Sequence, residues 1–226
     1  MKRYKAIIFD FDGTLFNKKG IGFHLVMSDL RHIKYIWAER KTRDEFRGED
    51  FGDEEAFQHA FFTALAVKVN KSEEHVRKWY YTRYMNVMQR VLKKHFKPRK
   101  ALKELLCHLR SNGVRLVVFS DYPCVVERLN VLGIPSGLFD FHYSSECFGA
   151  LKPSSRPLIN IVDTIGLNIA DVLMVGDKNS TDGLAAHSVG MDYIHIVDGD
   201  DKEKDDTISP LSMSWGDFDQ YLRKMQ

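Results

Sequence analysis

The 226 residues suffice for one large hydrophobic core, or for one core with a smaller satellite. A hydrophobic share of 44% against 28% charged residues excludes a disordered chain. The cysteines, three in number and in no C-x-x-C pair, exclude a disulfide framework or a thiolate metal site. Net charge is only +2 but unevenly spread: residues 17–97 carry 17 Lys/Arg against 11 Asp/Glu, or +6, which leaves 16 against 20, or −4, elsewhere. Such a basic segment would steer anionic ligands inward, unless its charges simply solvate helix faces.

Along the chain, "YKAIIF" (4–9) reads as a buried strand that stops at "DFDGTLF" (10–16). The apolar run before Asp10 is too short for a signal peptide, and no stretch approaches the roughly 18 apolar residues of a membrane helix; a cytoplasmic protein with no membrane partner is expected. Residues 17–97 show no strand signal. They hold amphipathic helical patterns at 23–41, at 54–69 with Asp53 as a cap, and at 72–96 with Ser72 as a cap. From Arg99 onward strands and helices alternate. Strands are expected at 114–120, 141–145, 172–176 and 193–197, and helices at 99–113, 123–133, 155–166 and 181–190, each helix closing on a glycine. The acidic stretch 197–210 reads as a solvated loop.

The alternation implies an α/β fold: a doubly wound, parallel, five-stranded, Rossmann-like sheet formed by residues 1–16 and 98–226, with an all-helical cap inserted at 17–97. In such sheets ligands bind outside the carboxyl ends of the strands, near the point where strand order reverses. Asp10 and Asp12 follow the first strand, Ser120 and Asp121 the second, and Asp177 the fourth, while Lys152 lies in the loop after the third. Residues i and i+2 of an extended segment point to one side, so Asp10 and Asp12 face one pocket, with Gly13 letting the backbone turn behind them. Like charges this close are costly unless a cation lies between them or one holds a proton. Mg²⁺ suits the first solution, since it takes one or two carboxylates and accepts phosphate oxygens. An EF-hand is excluded, because Ile21 stands where the calcium loop needs a bidentate Glu. Taken singly, Lys152 reads as a solvated lysine, Ser120 as a polar strand end, and Asp177 or Asp182 as the cap of the following helix.

Taken together, "DFDGTLF" (10–16), "VVFSD" (117–121), "LKP" (151–153) and "VGDKNSTDGLAA" (175–186) resemble, in order, the four motifs of the haloacid dehalogenase-like hydrolases. A helical cap between the first two motifs is similar to the phosphoglycolate phosphatase and β-phosphoglucomutase branch. The resemblance implies an Asp10 nucleophile that forms an aspartyl phosphate, and an Asp12 that serves first as general acid and then as general base. It implies Mg²⁺ held by Asp10, the Asp12 carbonyl and Asp177, with Asp182 behind them. Lys152 and Ser120 would hold phosphoryl oxygens, helped by backbone amides near Phe11, Asp12 and Asp121. Two departures stand out: Lys178 places a cation beside Asp177, and "FNKKG" (16–20) lacks the acidic-serine pair common in this branch. The carboxylate at position 12 argues against a dehalogenase. The expected activity is hydrolysis of a small phosphorylated metabolite, with a phosphomutase as the close alternative and Lys19, Arg43 and Arg47 as candidate specificity residues. A non-catalytic module using the basic cap on nucleic acid or an acidic protein is the reading from another class, kept open by basic residues interleaved with Trp79, Tyr80, Tyr81 and Tyr84; nucleic acid is the less expected partner. No feature of the sequence defines an oligomeric state.

Overall fold

The computed structural model describes residues 3–198 and 211–225. At its centre is a parallel sheet of six strands in the order β3-β2-β1-β4-β5-β6. The strands are β1 (Ala6–Asp10), β2 (Arg115–Ser120), β3 (Phe141–Ser144), β4 (Val172–Gly176), β5 (Asp192–Ile196) and β6 (Leu211–Met213). Five of them are those expected from the sequence. The sixth, only three residues long and paired to β5 alone, carries no apolar run that a sequence pattern could reveal. Of the acidic stretch 197–210, residues 199–210 lie outside the described residues.

The side chains of β1 alternate between two cores. Ile7 and Phe9 pack on the face covered by α6 (Leu102–Ser111), α7 (Val125–Leu132) and α10 (Trp215–Met225). Ala6 and Ile8 join Val117, Met174 and the inward residues of α8 (Arg156–Thr164) and α9 (Leu184–Ser188). Because both faces are covered, every residue of β1 and β4 is buried, which is why those strands read as apolar runs and not as alternating patterns. Each fully buried Val, Leu, Ile or Phe contributes about 1.5–3 kcal/mol.

Between β1 and α6 the chain forms α1 (Ile21–Ser28), α2 (Ile33–Glu45), α3 (Glu54–Val69), α4 (Glu73–Trp79) and α5 (Met85–His95). Asp53 and Ser72 cap α3 and α4 as expected, accepting the amides of Ala56 at 2.8 Å and His75 at 3.2 Å. Two expected helices depart from regularity. The 23–41 pattern breaks at Asp29, whose φ of −151° leaves the helical region. Its carboxylate is drawn aside by Arg83, with Nε–Oδ2 at 2.7 Å and Nη2–Oδ1 at 2.8 Å. The 72–96 pattern is continuous but widens into a π-helical turn at Tyr80–Tyr84. The chain leaves for this insert at Phe16 and returns at Pro98, and these two residues bridge in antiparallel fashion. Arg99 ties both crossings to the core, its amide donating to the Leu15 carbonyl at 2.9 Å and its guanidinium to the Gly13 carbonyl at 2.5 Å.

Strand order reverses at β1, with β2 and β3 on one side and β4, β5 and β6 on the other. The crevice at the carboxyl ends of β1, β2 and β4 is therefore where this topology puts a ligand.

Candidate active site

β1 ends on Asp10, which is buried. The turn behind it needs Gly13: φ there is +100°, and a Cβ would stand 1.9 Å from Asp177 Oδ2. Thr14 Oγ1 donates to Asp10 Oδ2 at 3.2 Å. On the other oxygen sits Lys152, whose Nζ donates to Asp10 Oδ1 and to Asp182 Oδ1, both at 2.6 Å. The loop that brings Lys152 is tethered to the end of β2 by Asp121, which accepts from Ser145 Oγ at 2.5 Å and from the Lys152 amide at 3.3 Å. Asp182 returns to the site through a wide turn, Asn179–Gly183, whose amides at Thr181, Asp182 and Gly183 converge on the Lys178 carbonyl. Gly176 leaves room for it, since a Cβ there would meet Asp182 Oδ2 at 2.5 Å.

Asp10, Asp177 and Asp182 offer carboxylate oxygens within 4.8 Å of one another. Burial, then the Asp182 charge, push the Asp10 carboxyl up to about 7 against the pull of Lys152. Burial likewise pushes Asp177 and Asp182 each up to about 6. Such a set of carboxylates, with the Asp12 carbonyl beside it, is the all-oxygen donor set of a hard cation, and Mg²⁺ fits it. In this structure the charge is met by ammonium groups. Lys152 takes Asp10 and Asp182, and Lys18 Nζ lies 2.6 Å from Asp177 Oδ2 and 3.1 Å from the Asp12 carbonyl oxygen.

Asp12 has a different partner. The guanidinium of Arg128, fully buried on α7, places Nη2 at 2.5 Å from each Asp12 oxygen, and Nη1 donates to Ser120 Oγ at 2.8 Å. Its plane lies over the Phe11 ring, 4.0 Å from the centroid. Ser120 is wholly buried in this arrangement and also accepts from the Tyr122 amide at 3.1 Å. The expected residues thus separate into two groups. Asp10, Asp177, Asp182 and Lys152 meet directly, while Asp12, Ser120 and Phe11 gather around Arg128, with Asp121 bracing the loop that carries Lys152.

Sequence reasoning missed Arg128 and Lys18. A signal for the first existed: Val125, Arg128, Leu129 and Leu132 form one buried stripe of α7, so a cation stood on the apolar face. For Lys18 the sequence held no periodic signal. Of the candidate specificity residues, Lys19 is exposed, and Arg43, bonded to Glu39 and Tyr80, borders the same cavity as Arg47. Arg47 lines a cavity of about 510 Å³ that runs from Asp12 under α1 and α2, bordered also by Lys18, Arg40, Trp37 and Tyr122. Trp79, Tyr80 and Tyr84 are buried inside the insert, and Tyr81 is half-buried.

The model of a family described as haloacid dehalogenase-like hydrolase matches residues 7–196, and the chain belongs to that family. A Saccharomyces cerevisiae protein named as an uncharacterized hydrolase is 25% identical over 181 residues, covering 79% of this chain and 71% of its own. Three solved structures share the fold. A Haemophilus somnus protein described as a predicted phosphoglycolate phosphatase has a TM-score of 0.66 at 21% identity, with 100% of both chains covered. A Thermotoga maritima protein named as a candidate β-phosphoglucomutase has a TM-score of 0.65 at 18% identity, again with 100% of both chains covered. The L-2-haloacid dehalogenase of Xanthobacter autotrophicus has a TM-score of 0.68 at 16% identity, covering 99% of this chain and 100% of that one. Among the described residues, no helix is long and apolar enough to cross a membrane.

Proposed function

We propose that this hydrolase is a Mg²⁺-dependent phosphatase of small phosphorylated metabolites, with residues 17–97 acting as a cap over a catalytic core of 1–16 and 98–226. The observation that carries the reading is the division between the two aspartates at the end of β1. Asp10 lies against an ammonium and two further carboxylates, whereas Asp12 lies against a guanidinium at the edge of an open cavity. In this mechanism Asp10 attacks phosphorus, the bond to the leaving oxygen breaks, and Asp12 gives that oxygen a proton. Asp12 then takes a proton from water, the water oxygen bonds to phosphorus, and the bond to Asp10 breaks, restoring both groups. Lys152 and Ser120, with amides near Phe11, Asp12 and Asp121, hold the phosphoryl oxygens, and Arg128 keeps the Asp12 carboxylate in place. Asp10, the Asp12 carbonyl and Asp177, with Asp182 behind, would hold Mg²⁺, which would neutralise phosphoryl charge. Cap opening breaks the bond from Arg43 to the Asp121 carbonyl, at 2.6 Å, that joins α2 to the site.

Phosphate release from a panel of phosphorylated metabolites, with Mg²⁺ or with chelator, tests this. Release should require Mg²⁺ and vanish in Asp10→Asn; unchanged release in that variant sinks the mechanism. Bisphosphate-dependent isomerisation of sugar phosphates without net phosphate release would replace it with a phosphomutase. Metal-independent loss of halide from a 2-haloacid would replace it with a dehalogenase.

A further inference from the structure

The proposed metal ligands already hold a cation. Lys18 Nζ lies on Asp177 Oδ2 at 2.6 Å and on the Asp12 carbonyl oxygen at 3.1 Å, that is, on one carboxylate and the one carbonyl assigned above to Mg²⁺. The two site lysines differ in freedom. Lys152 is captive, 2% exposed and bonded to two carboxylates. Lys18 sits in a loop outside any helix or strand, its side chain is 40% exposed, and it lines the cavity that opens from Asp12.

We propose that Lys18 is an internal counter-cation that occupies part of the metal position and is exchanged for the divalent ion when it binds. The proposal rests on the metal reading above. Mg²⁺ draws its oxygens in to about 2.0–2.1 Å in near-octahedral array, so an ammonium that spans the Asp177 carboxylate and the Asp12 carbonyl competes with it for the space between them. Charge points the same way, because a divalent ion and an ammonium at hydrogen-bond range repel in a half-buried site. With its flexible four-carbon stem, Lys18 can swing into the adjoining cavity, next to Arg40 and Arg47, where an anionic ligand would enter. The exchange has two effects. It keeps the carboxylate-rich site from standing uncompensated without metal, and it weakens metal affinity by the free energy of the lysine contacts that must be broken.

Titration calorimetry with Mn²⁺ and Mg²⁺ on the wild-type chain, Lys18→Met and Lys18→Arg reads the exchange without any substrate. Lys18→Met, which keeps length and loses charge, should bind either ion about tenfold more tightly than wild type, and Lys18→Arg should stay near wild type. A second measurement needs no variant: acetylation of Lys18 by acetic anhydride, followed by mass spectrometry, should quicken several-fold at saturating Mg²⁺ as the amine leaves the carboxylate. Equal metal affinity in Lys18→Met and wild type, or acetylation indifferent to Mg²⁺, overturns the exchange and leaves the phosphatase reading intact. Absence of metal binding in all three chains overturns the metal assignment and the exchange together. Tighter binding in Lys18→Met with no phosphoester hydrolysed by any chain upholds the exchange and sinks the phosphatase reading.

Discussion

Around Arg43 the helical insert buries one guanidinium against Glu39 and Glu146, all three at most 4% exposed. Arg43 donates to Glu39 Oε1 at 2.8 Å and to Tyr80 OH at 2.7 Å. Tyrosine hydroxyls take the remaining oxygens: Tyr84 on Glu39 Oε2 at 3.0 Å, and Tyr80 and Tyr81 on Glu146 at 3.1 and 3.4 Å. Burial raises the tyrosine pKa values, so these groups stay neutral donors. Around Asp10, by contrast, three carboxylates face one another, and Thr14 supplies a neutral hydroxyl. The remaining demand falls on ammonium groups. Neutral donors complete a buried ion cluster without adding charge, and such a cluster serves structure. A cluster with excess carboxylate keeps a standing need for a cation, which suits a site that must exchange ligands.

The largest break in this comparison comes from Arg43→Met, which leaves Glu39 and Glu146 buried without their cation. Urea denaturation should show a loss of about 3–5 kcal/mol, the same with Mg²⁺ or chelator. A loss below about 1 kcal/mol would end the structural reading of the insert cluster.

Asp182→Asn should act in the opposite sense. It relieves one of three crowded carboxylates while its amide oxygen still accepts from Lys152, so the metal-free protein should gain about 1–2 kcal/mol. Thermal unfolding in chelator would show this as a rise of a few degrees, shrinking when Mg²⁺ is added. A fall in chelator would mean that the carboxylates are already satisfied.

Next, Arg128→Lys loosens Asp12 without removing the charge beneath it. Turnover of alkyl phosphates, whose leaving group needs a proton, should drop about tenfold more than that of p-nitrophenyl phosphate. Equal losses on both would make Arg128 a packing residue alone.

The smallest effect concerns Asp29, whose carboxyl is held below the usual carboxylate range by hydrogen bonds from Arg83, with His32 adding to them. A depressed folded pKa means that the unfolded state binds the proton more readily, so the contribution is present above the unfolded pKa and is lost as pH falls through the folded one. The stability difference between wild type and Asp29→Asn should therefore be full above about pH 5 and close in acid, checked by denaturation at several pH values. A difference independent of pH would remove the ion pair from the account.

Much of this architecture was legible in the chain. The strands of the sheet centre, bearing Asp10, Ser120 and Asp177 at or just past their carboxyl ends, announce themselves because burial on both faces demands unbroken apolar runs. Asp53 and Ser72 were readable as caps because the capping bond reaches only three residues along the chain. The break at Asp29 was not readable, since its cause is Arg83, far away in sequence. β6 escaped for the same reason: three largely exposed residues become a strand only because β5 offers an edge.

By itself, then, the sequence determined five of the six strands, the helical insert and the identity of four acidic residues at one end of the fold, because periodicity, capping and motif spacing are local properties of the chain. Only the tertiary structure decided which cation each carboxylate meets. Lys152 reaches Asp10 across 142 positions and Arg128 reaches Asp12 across 116, and Lys18 settles on Asp177 from a loop with no periodic pattern. Those pairings depend on through-space distance in a low-dielectric crevice, a quantity that exists only once the strands have been laid side by side.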